Sequence, residues 1–388
     1  MGVAALALGL ATVTATALVP GLQSLVGPEE TGGVDLAHRV AEATVLWGGA
    51  SPYGNGPAGG NAVYPPASYV LLGPLLLVPY GLLKWLWAGS IVLLLGGLGW
   101  GATRVAEVTR PEQLALVGLL PASIAGVAYG TQNGQIHVHV VAALLGGMAL
   151  LLRSRPDARS DLLGSLLLLA ALIKPTVAGP ATLLLLARRD RWRVLARVGV
   201  AYLALTAVGC ALAGGGMGVL SDWLFRAQGG ADYGAGGSYG NAHAWSAMVG
   251  LTDLNAATTV VILVGFLTFA LGRSAGHAID GTRWAGVALA ALVARVAVYH
   301  QGYDDTLLIA LQFGLLAIVA RRGVRSLAGG VLAALVLVQL PGRGWVGLGG
   351  AMPNPLEVAR VVVWAAGAAL CTKALADSGT LGSEEAGG

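Results

Sequence analysis

Long apolar runs alternate with short polar segments from one end of the chain to the other. A helical run of about 20 apolar residues is long enough to cross the hydrocarbon core of a bilayer. The candidate spans are residues 3–26, 66–82, 84–103, 112–129, 135–152, 161–187, 194–213, 256–272, 284–300, 304–320, 323–340 and 356–375. This pattern predicts an all-α fold, a polytopic membrane helix bundle of about 10–12 transmembrane helices. We expect one transmembrane domain over residues 1–375 and a short flexible cytoplasmic tail over residues 376–388.

The polar segment after the first run predicts an amphipathic helix. On a helix that turns by about 100° per residue, Asp35, His38, Arg39 and Glu42 fall within one narrow arc, and apolar residues cover the rest. The segment is too short to cross a bilayer and suits a helix that lies in the interface plane. Asp35 has two interpretations here: it is an N-cap that follows two glycines, or it is a functional acid on the polar arc. Both roles can coexist.

The composition excludes an ordinary soluble domain. Only 11% of the residues are charged and 56% are hydrophobic, whereas a soluble domain is about a quarter charged. The 60 glycines suit close packing of helices in lipid. Both cysteines, Cys210 and Cys371, lie in apolar runs, so neither a disulfide framework nor a metal-ligand spacing is visible. The first run follows no basic segment, so we expect it to be retained as a span.

Arginine clusters predict which loops face the cytoplasm, because cytoplasmic loops of membrane proteins carry an excess of Lys and Arg. The arginine-rich loops contain Arg153, Arg155 and Arg159; Arg188, Arg189, Arg191, Arg193 and Arg197; and Arg321, Arg322 and Arg325, while Arg273 and Arg283 flank a fourth. The loops with at most one Arg and no Lys are 28–65, 214–255, 299–304 and 341–355. We expect the second group to face outward.

One conflict bears on the number of spans. If every run crosses the membrane, the loop that carries Arg153 and Arg159 faces outward, against the rule. The conflict disappears if 112–129 does not cross and 161–187 is a re-entrant pair that breaks at Lys174-Pro175. Proline ends a helix at or before the preceding residue, and non-helical backbone at membrane depth needs a protein-lined cavity.

Ionisable residues inside apolar runs are costly, and such residues indicate function. Lys174 lies midway through its run, and Arg295 lies one turn before the boundary where His300, Asp304 and Asp305 follow. Snorkelling to an interface is the alternative role of Lys174, and helix capping is that of Asp304. Neither cation has an acidic residue within one helical turn in sequence, so we expect an anionic ligand as their partner.

The order of several short motifs resembles glycosyltransferase family 87. The elements that carry the resemblance follow the first acid and amphipathic helix, and they are Gly49-x-x-Pro52-Tyr53, Tyr64-Pro65-Pro66, Gly134-Gln135, Lys174-Pro175 with Arg191-Trp192-Arg193, Tyr299-His300 and Tyr303-Asp304. They cover roughly residues 30–310. The sequence departs from the family pattern at His137, where many relatives carry Asn, and in the glycine-rich loop 214–255.

The resemblance implies a GT-C-fold enzyme of the plasma membrane that uses a polyprenyl-phosphate sugar as donor and a lipid or glycan as acceptor, without a cofactor. Asp35 matches the family's catalytic acid at the outer face, His300 a histidine of the late outward loop, and Lys174 a basic residue near the lipid phosphate. The further candidates for contacts with the donor phosphate or substrate are Arg295, Gln135, Tyr64, Asp304, Asp305 and Arg39.

The residue types fit sugar transfer from such a donor. The donor already carries a good leaving group, so the enzyme needs one base for the acceptor hydroxyl and cations for the departing phosphate. Asp35 is the predicted base, and direct displacement inverts the anomeric carbon. We expect the transfer of a hexose, with mannose implied by the resemblance, and no divalent metal. The alternative classes are a transporter or flippase of lipid-linked sugars, for which we see no second broken helix of an inverted repeat, and a non-catalytic scaffold.

Overall fold

The computed structural model describes residues 2–28, 32–54, 62–153, 157–187, 191–234, 282–297, 302–339 and 355–385. These residues form helices and no strands. The α-helices are α1 Gly2–Val26, α2 Val34–Trp47, α3 Pro66–Leu72, α4 Tyr80–Val105, α5 Pro111–Leu119, α6 Ala125–Asn133, α7 His137–Leu151, α8 Ala158–Ala171, α9 Pro175–Thr182, α10 Trp192–Leu212, α11 Gly218–Gly234, α12 Thr282–Ala297, α13 Leu308–Arg322, α14 Leu327–Gln339 and α15 Pro355–Glu385. Short 3₁₀ turns occupy Gly73–Leu77, Pro121–Ser123, Leu183–Ala187 and Gly302–Leu307.

Four of the described helices are long and apolar enough to cross a membrane. They are α1, α4, α10 and the Ala359–Asp377 part of α15. Large apolar side chains on them point away from the protein, as Leu8 does with 70% of its surface exposed. A surface of this kind is stable against lipid and not against water, so the all-α polytopic membrane fold is confirmed.

Three of the predicted runs are broken. The run 66–82 is not one span, because it divides into α3, the turn Gly73–Leu77 and the first residues of α4. The run 112–129 divides into α5 and α6 around the turn Pro121–Ser123. The run 161–187 divides into α8 and α9, and the break falls at residues 172–174, directly before Pro175. At this break the Ser68 hydroxyl donates to the Ile173 carbonyl oxygen at 2.7 Å, which satisfies a carbonyl group that the helix cannot. The predicted break is confirmed, and the re-entrant path stays a prediction.

Glycine allows close helix contact where α4 crosses α5. The carbonyl oxygen of Gly118 occupies the place where a side-chain carbon on residue 99 would lie. Elsewhere in the described part of the chain α7 packs along α8, α12 packs along α13, and α1 packs against α5 and α6. The small residues therefore bring backbones together, which is the packing mode expected for helices in lipid.

Two further predictions concern the span 256–272 and the C-terminal tail. The predicted span 256–272 lies outside the described residues. The last helix continues without a break past residue 375 to Glu385, so the proposed start of a tail at residue 376 is not a helix end.

Candidate active site

The predicted amphipathic helix is present as α2, and its first turn carries Asp35. The helix begins at Val34, and its N-cap is Gly33, whose φ of 74° lies in the left-handed region that favours glycine. The Gly33 N–H donates to the Gln132 carbonyl oxygen at 2.8 Å, which joins the start of α2 to the end of α6. Asp35 is therefore not the N-cap of this helix, and its carboxylate has another partner.

That partner is Gln135, which directly follows the end of α6. Gly134 ends the helix with a φ of 70°, and the Gln135 N–H returns to the Gly130 carbonyl oxygen at 2.8 Å. The side-chain Nε2 of Gln135 donates to Oδ2 of Asp35. Gln135 is buried, whereas Asp35 is partly exposed. The amide holds one oxygen of a carboxylate that a substrate can still reach.

Arg39 lies one helical turn after Asp35 and faces an acid and two aromatic rings. Its NH1 donates to Oε2 of Glu42 and lies 3.4 Å from the Tyr69 hydroxyl. The guanidinium carbon lies 4.5 Å from the centre of the Tyr64 ring, within cation–π distance. Burial raises the pKa of Glu42, and the positive charge of Arg39 opposes that rise. The polar arc of α2 is thus turned partly into the protein.

Lys174 and Asp304 form a buried ion pair. Lys174 is the residue before α9, and Asp304 lies in the 3₁₀ turn Gly302–Leu307. The lysine Nζ donates to Oδ1 of the carboxylate, and both residues are buried. A buried charge is stable only if it is paired and hydrogen-bonded. The premise that Lys174 has no acidic partner is therefore wrong, because the fold supplies one from 130 positions away.

Tyr64 shows that these groups belong to one site. Burial raises the pKa of Tyr64, and the charges of Lys174 and Arg39 oppose the rise while those of Asp304 and Asp35 add to it. A single phenol therefore lies within electrostatic reach of all four charged groups. The Tyr53 hydroxyl donates to the Tyr64 carbonyl oxygen at 2.7 Å, which holds the backbone before α3.

The other predicted phosphate ligand, Arg295, lies in a neighbouring cluster. Its Nε donates to Oδ1 of Asp305 at 2.7 Å, and Nε2 of Gln339 lies 3.3 Å from Oδ2 of the same carboxylate. The guanidinium carbon lies 5.3 Å from the centre of the Trp364 ring. The premise that this cation has no acidic partner is also wrong. Asp305 links Arg295 on α12 to Gln339 on α14, and the guanidinium contact with Trp364 joins α12 to α15.

The structure adds two residues that were not among the predicted site residues. His137 is buried at the start of α7, its ring lies against Gly130, and it is within electrostatic reach of Lys174 and Asp304. Tyr69 contacts Arg39. A signal for the histidine was present, since it is the second residue after Gln135. The predicted residue His300 lies outside the described residues.

No metal centre is evident in the part of the chain that the structure describes. There, His, Cys, Asp and Glu side chains do not form a group of three or more that could hold an ion. The expectation that the reaction needs no metal stays a prediction.

These features define a helical membrane protein with a charged, partly buried site next to an interfacial helix. A family model described as glycosyltransferase family 87 matches residues 62–299. This chain belongs to glycosyltransferase family 87, and it is therefore a membrane glycosyltransferase with a sugar donor and an acceptor. Tyr64, Gln135 and Lys174 lie within the matched range, whereas Asp35 precedes it and Asp304 follows it. Searches among curated proteins and among solved structures gave no match.

Proposed function

We propose that this glycosyltransferase moves a hexose, specifically mannose, from a polyprenyl-phosphate donor to a lipid or glycan acceptor at the outer face of the plasma membrane. Asp35 is the general base in this proposal. The observation that carries it is the geometry of Asp35: a partly exposed carboxylate, held by Gln135, lies in the same electrostatic site as Lys174.

The proposed reaction is a single displacement. The Asp35 carboxylate takes the proton of the acceptor hydroxyl, and the acceptor oxygen forms a bond to the anomeric carbon. The bond between that carbon and the donor phosphate oxygen breaks, and the polyprenyl phosphate leaves with the bonding electrons. Attack from the face opposite the leaving group inverts the anomeric configuration.

Lys174 is the proposed contact for the leaving phosphate. Its ammonium group is buried close to Tyr64 and is shared with Asp304. A phosphate oxygen that develops negative charge is stabilised by a cation placed in advance in a dry site. The Arg39 guanidinium carbon lies 4.5 Å from the centre of the Tyr64 ring and offers a second cation to the same region. The resemblance assigns His300 to this outward site as well.

The lipid-linked class of donor is supported by the surroundings of the site. The charged groups lie beside apolar helices whose outer faces suit lipid, such as α10, which packs along α3. A polyprenyl phosphate keeps its charge at the interface and its tail in the hydrocarbon region. The loop that carries α2 has one arginine and no lysine, and this supports the outward orientation.

The proposal is tested with purified protein in lipid nanodiscs. Polyprenyl-phosphate mannose with a labelled sugar is supplied together with membrane lipid extract, and a nucleotide-linked mannose is the control donor. We expect label in a new lipid product only from the lipid-linked donor, with inverted configuration at the anomeric carbon. Asp35→Asn should lower turnover about 10²–10⁴-fold, because it removes the base and keeps the shape of the side chain.

Three outcomes contradict parts of this proposal. Transfer from the nucleotide-linked sugar would contradict the donor class, and a retained configuration would contradict direct displacement. Movement of the labelled donor across vesicles without a new product would favour the flippase class. Parental turnover by Asp35→Asn would remove the base assignment.

A further inference from the structure

The contact between Asp35 and Gln135 is built from two helix ends that are locked together. The Gly33 N–H bonds to the Gln132 carbonyl oxygen, and a side-chain carbon on residue 134 would lie 2.8 Å from Cβ of Leu36. Gly33 and Gly134 both adopt positive φ. The backbones on both sides of the amide–carboxylate contact are therefore in direct contact with each other. An exposed polar contact would need neither this hydrogen bond between two helix ends nor the two glycines at positive φ.

Gln135 is buried, unlike a side chain whose only role is to contact substrate. Gln135 is 5% exposed, and its amide nitrogen donates a hydrogen bond to Oδ2 of Asp35. Within the described residues the second oxygen, Oδ1, makes no hydrogen bond. An amide N–H donates to a lone pair of a carboxyl oxygen, so it favours an accepting oxygen that carries no proton. The contact therefore fixes the rotation of the carboxyl group and the oxygen on which a proton can lie.

We propose that Gln135 is a positioning residue for the base: its amide holds Oδ2 of Asp35, keeps that oxygen free of a proton, and turns Oδ1 toward the acceptor hydroxyl. This inference rests on the proposed role of Asp35 as base. It replaces the expectation that Gln135 binds substrate. Gln135 acts on the proton transfer and makes no contact with the donor.

Other charges also act on Asp35 and must be kept constant in a test. On its own helix Arg39 and Glu42 interact with it electrostatically and His38 lies one turn away, and from other elements Tyr64 and Lys174 interact with it. Replacing Gln135 leaves these five groups in place. A change in the pH dependence of turnover would then report the amide itself.

Two replacements of Gln135 separate its proposed actions. Gln135→Glu keeps the shape and puts a second carboxyl group against Asp35, and two adjacent carboxyl groups share one proton. The shared proton occupies Asp35 part of the time and leaves the pair only at raised pH, so the acid limb of the kcat/KM profile should move to higher pH by about one unit or more. Gln135→Met keeps the length and removes the donor, so kcat should fall roughly 10- to 100-fold while the KM for the donor stays constant.

Gln132→Glu is the matched control. It adds the same charge three residues earlier on α6, where the side chain is exposed. This variant should keep the parental acid limb. The measurements are pH profiles of kcat/KM and the separate KM values for donor and acceptor, made on the full chain with polyprenyl-phosphate mannose.

The outcomes separate this inference from the proposed function. An acid limb of Gln135→Glu that coincides with those of the parent and Gln132→Glu overturns the positioning role, as does a raised donor KM with parental kcat in either variant. If Gln135→Glu does not fold, Gln135→Met decides alone through its kcat. If Asp35→Asn is inactive and the Gln135 variants keep parental kinetics, the base assignment stands and the positioning role is wrong. If Asp35→Asn is active, the base assignment itself is wrong.

Discussion

At the scale of single residues, the two buried cations lie against carboxylates that are neighbours in sequence. Lys174 pairs with Asp304, and Arg295 pairs with Asp305. Loss of one partner from a buried pair leaves the other charge uncompensated, which is far more costly than loss of an exposed pair. The two pairs thus make comparable demands on stability. They differ in their surroundings, because the positive charge of Lys174 opposes the rise that burial causes in the pKa of Tyr64.

This difference gives a prediction for the donor site. Lys174→Ala and Arg295→Ala each break a buried ion pair, and both should lower the melting temperature of the purified protein. Only Lys174→Ala should raise the KM for the polyprenyl-phosphate donor, by roughly 10- to 100-fold, which corresponds to one lost hydrogen bond to a charged group. The KM for the acceptor should stay constant in both.

Arg295→Ala is the control for general destabilisation, and donor and acceptor dependence are measured separately for each variant at a temperature where both are folded. Equal donor KM values for parent and Lys174→Ala would remove Lys174 from the donor site. A raised donor KM in Arg295→Ala would return this arginine to it.

The sequence identified these residues but not their partners. Lys174 is visible locally as an ionisable side chain in an apolar run, Asp35 stands on the polar arc of an amphipathic segment, and Gln135 was singled out by the resemblance. The contact between residues 174 and 304 depends on how α9 meets the 3₁₀ turn Gly302–Leu307, and no local periodicity carries that information. The acidic partner of Lys174 was missed for this reason, and the anionic ligand stays a prediction.

At the scale of elements, the break at Lys174-Pro175 was more predictable than the helix lengths. Proline lacks an N–H and clashes with the preceding turn, and Pro121 and Pro175 each follow the end of a regular helix, although Pro20 lies inside α1 and Pro180 inside α9. A uniformly apolar run has no clear helical period, and its composition therefore does not reveal that α9 is only 8 residues long.

The helix end at Gly134 carries the prediction at this scale. A side chain on residue 134 would sit at positive φ, which costs about 1–2 kcal/mol for an L-residue, and would press on Leu36. Gly134→Ala should therefore lower the melting temperature and also lower kcat, because it displaces Gln135 from Asp35. Thermal unfolding and turnover are measured on the same preparation.

Gly96→Ala is the matched control, because a side-chain carbon there meets no atom within 4 Å and the residue lies inside α4. This variant should be as stable as the parent or slightly more stable, with parental kcat. Parental stability and turnover in Gly134→Ala would contradict the tight junction between α2 and α6.

At the scale of the whole molecule, the orientation in the membrane is the prediction with the widest consequence. Cys210 and Cys371 are buried, so a membrane-impermeant thiol reagent should give a low background. Ser51→Cys lies after α2 and should react on intact cells. Val324→Cys lies in the arginine-rich turn after α13, is exposed, and should react only after the membrane is opened.

The opposite pattern, with Val324→Cys labelled on intact cells, would invert the orientation and move the proposed site to the cytoplasmic face. Labelling of both positions on intact cells would indicate leaky cells and is checked with a cytoplasmic marker protein. The arginine pattern predicts this orientation, whereas the path of residues 161–187 is not predictable from it, since that path depends on which helices flank the break.

The adjacent carboxylates Asp304 and Asp305 also bear on how the protein is made. A ribosome delivers the chain from its N-terminus, so Lys174 reaches the insertion machinery 130 residues before the carboxylate that neutralises it. Arg295 precedes its own counter-ion by 10 residues. During this interval the residue before α9 carries a charge whose partner carboxylate has not yet been translated. Lys174 can therefore reach its final buried position only after insertion, once the turn Gly302–Leu307 has been synthesised.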